Sequence, residues 1–250
     1  MSATPAAAAH SHAPSAEAKP CTHRPALTAK EIEGLELAEL IARFRRGIEN
    51  IDRRLFWLPV DQLDTAFLPE ANVGRWPIRV LLGHVADAEL VYAHRIRRTV
   101  GEDHPVLALW DENSFIDSGL YGNIESDQRA AQTSGNPKAH TGTMGAISGY
   151  VAIIHTLRQW IADWLETLTP QQWERTAMHP ERGPESVRTM VALATWHLEH
   201  HARYLRVKLD KIAPLPASQD AIDKAKAAVA GSGAGGGSCG AGCGCSSQPA

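Results

Sequence analysis

Apolar residues recur at alternating steps of three and four along four stretches of this 250-residue chain. This spacing places apolar side chains on one face of an α-helix and is typical of helices that pack in a bundle. The first helix is predicted to open with a capping box at Thr28 and Glu31 and to stop at Pro59. Its apolar stripe is Leu37, Ile41, Phe44, Ile48, Ile51, Leu55 and Leu58.

Three further helices are predicted in the same way. The second runs from Pro77 to Gly101, the third from Ile147 to Leu168 and the fourth from Gly183 to Ile212. No stretch shows the period-2 alternation of a convincing β-strand. The pattern therefore predicts an all-α fold, a four-helix bundle.

A long connection, residues 102–142, separates the second and third helices. Helices of a bundle are usually joined by ~2–8 residues, and a longer crossover allows neighbouring helices to run parallel. Residues 107–122 carry aromatic side chains and are predicted to pack over one end of the bundle. Residues 123–142 are polar and are predicted to form a mobile loop.

Composition divides the chain into three parts. Residues 1–27 and 213–250 are predicted to be disordered, and residues 28–212 to form the bundle. The C-terminal part is low-complexity Gly, Ser and Cys after one short predicted helix from Gln219 to Ala230. Outside this tail the one cysteine is Cys21, so no disulfide framework is expected to support the core.

Charge and hydropathy narrow the classes of partner that this protein is expected to bind. The chain has 25 Lys and Arg against 28 Asp and Glu, so neither a nucleic acid nor an anionic membrane is an expected partner. No apolar run reaches the ~18 residues of a membrane-spanning helix, and the N-terminus lacks the features of a secretory signal. A cytoplasmic protein acting on a small molecule is the expectation.

Three histidines on the predicted core-facing stripes form a candidate metal site: His84, His197 and His201. Residues four apart on a helix share one face and lie about 6 Å apart along the axis, a spacing suited to two imidazole ligands. Burying three imidazoles with neither a partner nor a metal is costly. His200 is an alternative to His201 and His155 a weak fourth candidate, whereas His94 is too far along its helix to join His84.

An all-nitrogen ligand set suits Zn²⁺, Ni²⁺ or Fe²⁺ better than Mg²⁺ or Ca²⁺. The helical zinc-protease motif needs a glutamate directly after its first histidine, and this chain has Leu198 there. Glu199 is predicted to point away from His197, about 200° round the helix. The sequence therefore lacks the general base of that protease class.

Cysteines of the tail indicate a second function class. Cys239, Cys243 and Cys245 lie within seven residues and could chelate a soft metal such as Cu(I) or Zn²⁺. A metal-binding or metal-handling protein without turnover is thus an alternative to an enzyme. A third alternative is a bundle used for binding or assembly, with histidines simply retained in its core.

Several runs of the sequence, taken in order, carry a family resemblance; they are residues 76–89 (WPIRVLLGHVADAE), 95–98 (RIRR), 110–112 (WDE), 179–183 (HPERG) and 197–203 (HLEHHAR). Together they resemble the DinB-like superfamily across residues 28–212. The resemblance implies an up-down-down-up four-helix bundle and a three-histidine metal site, matched here by His84, His197 and His201. Family members often dimerise, so a homodimer is one expectation. The polar insertion at residues 123–142 departs from the compact family form.

The resemblance also implies an activity class, because family members include S-transferases and isomerases that use low-molecular-weight thiols. The leading hypothesis is a metal that lowers the pKa of a bound thiol or water and presents it to a small electrophile. The substrate would enter under residues 110–121. Asp87, one turn from His84, could orient that ring, the alternative being a solvated acid on the helix flank. Arg95, His179 and Arg182 could steer a substrate carboxylate, or could simply extend to solvent.

Overall fold

The computed structural model describes residues 26–134 and 143–214. Predictions for the two ends, including the helix at 219–230 and the metal site at Cys239, Cys243 and Cys245, lie outside these residues. In chain order the α-helices are α1 Ala29–Glu33, α2 Leu37–Arg45, α3 Ile78–Gly101, α4 Glu112–Asp117, α5 Ile124–Ser134, α6 Thr143–Leu165, α7 Pro170–Trp173 and α8 Val187–Ile212. The strands are β1 Thr176–His179 and β2 Gly183–Ser186.

Contacts along α3 and α8 show that these two long helices are antiparallel. His84, near the start of α3, contacts His197 in the middle of α8. Thr99, near the end of α3, contacts Met190 near the start of α8. The two helices that carry the candidate ligands therefore pack directly against each other.

The other helices complete the predicted topology. α6 runs parallel to α3, since Glu89 pairs with Arg158 and the later Arg97 lies over Trp164. The α1–α2 segment runs parallel to α8, because its residues 33 and 43 contact residues 189 and 199 in turn. The up-down-down-up four-helix bundle is confirmed.

The first helix is not the single helix predicted from residue 28 to residue 58. The capping box of Thr28 and Glu31 is present, but α1 ends at Glu33, with Gly34 as its C-cap, and α2 ends at Arg45. Where α2 ends, the Phe44 carbonyl accepts a hydrogen bond of 2.7 Å from Arg158 Nη1. The chain continues in 3-10 turns that keep most of the predicted stripe buried; they are Arg46–Asn50, Arg53–Trp57, Val60–Asp64 and Pro69–Ala71.

A β-hairpin precedes α8, so the prediction that the chain lacks strands was wrong. β1 and β2 pair in antiparallel register from Thr176–Ser186 to His179–Gly183, and Gly183 has a φ of 83° at the turn. α8 therefore begins at Val187 behind a Ser186 cap and not at Gly183. Four-residue strands are too short for period 2 to stand out from the surrounding sequence.

The crossover is more ordered than predicted. Residues 124–134 of the supposed mobile loop form α5, while residues 135–142 lie outside the described part. The start of the crossover is tied to the hairpin, since Leu107 N–H donates to the Met178 carbonyl and Met178 N–H to the Pro105 carbonyl. Tyr121 is buried, in agreement with the predicted packing of residues 107–122 over the bundle.

The apolar core forms two clusters along the bundle. One contains Ile96, Ile161 and Met190, and the other contains Leu82 and Leu198 among its members. Charged side chains are buried between these levels, including Glu89 and Arg158. Within residues 26–134 and 143–214, no helix is both long and apolar enough to cross a membrane.

Candidate metal centre

The three predicted ligands meet in the bundle. One ring nitrogen of each of His84, His197 and His201 lies within 4.8 Å of the others, and the Nε2 atoms of His84 and His197 are 3.1 Å apart. His84 is buried, and the two α8 histidines are half-buried. The sequence pattern thus identified three residues that the fold brings together from positions 113 apart in the chain.

The neighbouring histidines lie outside this cluster. His200 stacks on Trp196 with ring centroids 4.8 Å apart, and His94 and His155 are exposed. The alternative that paired His197 with His200 is therefore not the arrangement observed. Glu199 points to the opposite side of α8, where it forms a two-point ion pair with Arg43 at 2.7 and 2.8 Å, as its position round the helix predicted.

Burial keeps the three rings neutral. It lowers the pKa of His84 to about 4. It lowers the pKa of His201 to about 3, with smaller contributions from His84 and His200, and holds the pKa of His197 well below its usual value. Neutral imidazole is the form that binds a metal, because its unprotonated nitrogen carries the lone pair.

The ring nitrogens that face one another in this cluster fit a metal ion. The Nδ1 atoms of His84, His197 and His201 are all buried with no hydrogen-bond partner. Across the 3.1 Å contact of His84 and His197, the two Nε2 atoms can share at most one hydrogen. At least one of these facing Nε2 atoms therefore carries a lone pair without a hydrogen to accept, and converging nitrogen lone pairs are satisfied well by a divalent cation.

Two tryptophans enclose His84. The Trp110 ring stacks on the His84 imidazole at a centroid distance of 5.3 Å and an interplanar angle of 14°. The Trp76 ring packs against the same imidazole at a centroid distance of 5.2 Å. Trp76 also lies 6.4 Å from His201. These ring contacts limit rotation of the imidazoles.

Glu112 brings a carboxylate to the cluster from the crossover. Its Oε2 lies 3.9 Å from His84 Nε2, and its side chain is 47% exposed. Asp111 caps α4 by accepting from Ser114 N–H, which places Glu112 at the first position of that helix. Sequence reasoning missed this role, although Glu112 stood in the Trp110-Asp111-Glu112 run, because pattern alone does not show where a crossover lands.

A cavity of about 510 Å³ borders His197 and Glu112, and Arg95, His179 and Arg182 also line it. Arg95 is buried and donates to the Ala108 carbonyl at 2.7 Å, with no carboxylate within ion-pair distance among the described residues.

The other two predicted substrate residues are held by the hairpin. His179 is buried, not exposed, and its Nδ1 accepts from the backbone N–H groups of Glu181 and Arg182, so its hydrogen is on Nε2. Arg182 forms an ion pair with Glu185, and this contact raises the pKa of the guanidinium. Arg95 and His179 therefore offer unused donors beside the cavity, whereas Arg182 is already neutralised.

Asp87 does not orient His84 in this structure, contrary to one interpretation of the sequence. His84 Nδ1 has no hydrogen-bond partner, and one oxygen of Asp87 is buried without one. Asp87 lies near Tyr121, whose pKa is raised by burial and by this carboxylate. The one-turn spacing placed Asp87 on the correct side of α3 but could not show that Tyr121 would occupy the space beside it.

A family model described as the DinB superfamily matches residues 32–205, a stretch that includes all three histidines. The chain belongs to the DinB superfamily. This membership confirms the resemblance inferred from the order of the motifs.

DinB relatives include a protein of Oceanobacillus iheyensis that is 25% identical over 170 residues, covering 66% of this chain and 84% of that protein. YfiT of Bacillus subtilis is 25% identical over 171 residues, covering 68% of this chain and 78% of its own. Both carry the name "putative metal-dependent hydrolase". A solved structure of YfiT, described as an unusual four-helix bundle, is 20% identical with a TM-score of 0.45 and covers 78% of this chain and 94% of YfiT.

Proposed function

We propose that this protein is a metal-dependent enzyme that activates water or a low-molecular-weight thiol for attack on a small electrophilic substrate. His84, His197 and His201 would hold the metal. The observation that carries the proposal is the convergence of three neutral imidazoles beside a half-exposed carboxylate and a cavity. The names of the DinB relatives support the hydrolytic form of the reaction.

The donor set points to the class of metal. Three imidazole nitrogens suit Zn²⁺, Ni²⁺ or Fe²⁺, and three protein ligands leave a position open for a reactant. When bound, such an ion supplies Lewis acidity, which lowers the pKa of a coordinated water or thiol into the neutral range.

Glu112 is the proton acceptor in this proposal. Its carboxylate stands 3.9 Å from His84 Nε2 and reaches solvent through its exposed fraction, so it can receive a proton from a reactant and release it. It thereby supplies from the crossover the base that the helical zinc proteases carry next to their first histidine.

The cavity beside the histidines would bind the substrate. Arg95 and the Nε2–H of His179 can donate to a carboxylate, while Trp110 and Tyr92 provide apolar surface. The substrate class that fits is a small electrophile with an anionic group. A cavity of about 510 Å³ has the size of a small-molecule site.

Metal content is the first test. The full chain, His197→Ala and a deletion of residues 231–250 are purified without added chelator, and their metal is measured by elemental analysis. About one equivalent lost only in His197→Ala supports the three-histidine site. Extra equivalents lost with the tail would favour the metal-handling alternative at Cys239, Cys243 and Cys245. No metal in any of the three, even after reloading, would overturn the proposal.

Glu112→Gln tests the chemistry. We expect metal content to be retained and the rate to fall by about 100-fold or more, the usual range for loss of a general base. Hydrolysis of p-nitrophenyl acetate and transfer of cysteine to 1-chloro-2,4-dinitrobenzene report the two forms of the reaction. Glu125→Gln, an exposed acid on α5, is the matched control. Equal rates in both variants would remove Glu112 from the mechanism.

A further inference from the structure

A second cavity, of about 340 Å³, lies against His201 and is formed by residues 72–76 and the second half of α8. It shares no lining residue with the cavity that borders His197 and Glu112. The two cavities therefore border different members of the histidine cluster, His201 in one case and His197 in the other. Nothing in the proposed chemistry uses this second one.

A buried amine forms part of its wall. Lys208 is 1% exposed, and its Nζ donates to the Gly74 carbonyl at 2.8 Å and lies 4.2 Å from the centre of the Phe67 ring. An ammonium has three N–H donors, so this carbonyl uses one of them. In the described part of the chain no carboxylate lies within ion-pair distance of Lys208. Burial lowers its pKa to about 8.

Lysine is almost never fully buried unless it is paired, and a buried cation without a counter-charge is costly. The missing counter-charge is therefore the informative feature of this wall. An anionic ligand would supply it.

The remaining lining residues fit such a ligand. Arg75 adds a second cation, and Asn72, His200 and Tyr204 add polar groups, whereas no acidic side chain lines the cavity. Val73, Trp76 and Leu81 provide apolar surface.

We propose that this second cavity binds a small organic carboxylate, with the anionic end at Lys208 and Arg75 and the apolar body against Trp76 and Leu81. Its volume of about 340 Å³ is at the lower end of ~300–1,000 Å³, the usual range of ligand pockets. The site does not depend on the metal, because none of its cationic groups is a candidate ligand. Its occupant would rest beside His201 and so next to the proposed reaction centre.

Calorimetric titration of the full-length protein with benzoate tests the proposal. Benzyl alcohol, which has the same ring and no charge, and inorganic phosphate, which has charge and no apolar body, are the comparison probes. Each titration is made on the protein as purified and after chelator treatment, because a carboxylate could also bind a metal directly. We expect benzoate to bind in both states and more tightly than either comparison probe.

Two variants and a matched control locate the site. Lys208→Met keeps the volume of the side chain, and Arg75→Gln changes only an exposed residue, so one of the two is informative even if the other affects folding. Each is expected to weaken benzoate binding about tenfold or more, equivalent to about 1.4 kcal/mol. Lys211→Met removes the same charge from the exposed face of α8 and should leave affinity unchanged within about twofold.

Two results of these titrations would overturn the proposal, and they can be told apart. Benzoate binding that disappears on chelation and is unaffected by Lys208→Met would place the anion on the metal and overturn the proposal. Failure to bind benzoate at all would also overturn it, while leaving the metal content of the protein as a separate measurement. Loss of metal in His197→Ala with benzoate binding retained would show that the two sites are independent.

Discussion

Two clusters of buried polar side chains lie in the same bundle, and they differ in how well their hydrogen-bonding groups are satisfied. Arg158 is fully buried, and four of its five N–H groups donate hydrogen bonds. Nε and Nη2 donate to Glu89 at 3.0 and 2.6 Å, and Nη1 and Nη2 donate to the carbonyls of Phe44 and Ala194 at 2.7 Å. The Nε2 atoms of His84 and His197, by contrast, face each other at 3.1 Å and can share at most one hydrogen. The charges of the first cluster are paired within the folded chain, whereas the second leaves a ring lone pair for a ligand.

This difference distinguishes polar groups that are buried to hold the fold together from polar groups that are buried to bind a ligand. A charged network whose members are paired holds helices in register. Removing one member leaves the other charge buried without a partner, which destabilises the fold. An unsatisfied cluster lowers the stability of the free protein and is retained where a ligand completes it. The Arg158 cluster should therefore control unfolding, and the histidine cluster should control the response to metal.

Arg158→Met should produce the largest effect. It leaves Glu89 buried without its counter-charge, and breaking such a pair costs about 3–5 kcal/mol. Unfolding in urea measures the loss. The double variant Glu89→Leu/Arg158→Met should recover much of it, because no isolated charge remains. A single and a double variant of equal stability would remove the ion pair from this comparison.

Acid should destabilise the chelator-treated protein through the histidines. His84 has a folded pKa of about 4 against an ordinary value near 6.5, so the unfolded chain binds the extra proton first as pH falls. Its contribution, about 3 kcal/mol by the linkage relation, is present above pH ~6.5 and lost as pH falls to about 4. Urea unfolding at steps from pH 7 to pH 4 measures this slope. His84→Gln should flatten it.

Metal should stabilise the protein through the same cluster. At a free ion concentration about 100 times Kd, binding to the folded state alone adds about 2.7 kcal/mol. His84→Ala should abolish this gain, whereas His94→Ala, an exposed histidine on the same helix, should keep it. Thermal unfolding with and without Zn²⁺ is the measurement. An equal response in both variants would contradict the assignment of His84.

Gly47→Ala should cause a smaller loss. A Cβ at Gly47 would lie 2.2 Å from Arg158 Nη1, so the guanidinium would have to leave its carbonyl partners. Overpacking of this kind costs about 1–3 kcal/mol. Gly149→Ala is the control, because a Cβ there meets nothing within 4 Å and alanine favours the helix by up to about 1 kcal/mol. Equal effects would mean that Arg158 can move at no cost.

Sequence alone could predict the histidine cluster because each ligand is marked by its spacing within one helix. His197 and His201 share a helical face by spacing, and His84 follows from its place on an apolar stripe. Capping at Thr28 is local too, and it is confirmed.

What depends on tertiary contacts could not be predicted. The first helix ends at Arg45, beside a contact between the Phe44 carbonyl and Arg158, 114 residues away, that no local pattern shows. The hairpin pairs with the crossover at Met178, and Glu112 reaches His84 from a short helix whose position no periodicity determines. Buried Lys208 gave no signal, because an isolated lysine in a helix is usually solvated.

Arg158 also bears on how the chain folds. Its partners lie 36, 69 and 114 residues away, in α8, α3 and α2. The guanidinium can therefore be paired with Glu89 and bonded to both carbonyls only after all four long segments have docked, and a partly assembled bundle would carry a poorly solvated charge. We expect this dependence to suppress partly folded species, so that the described helices are lost together in a single unfolding transition.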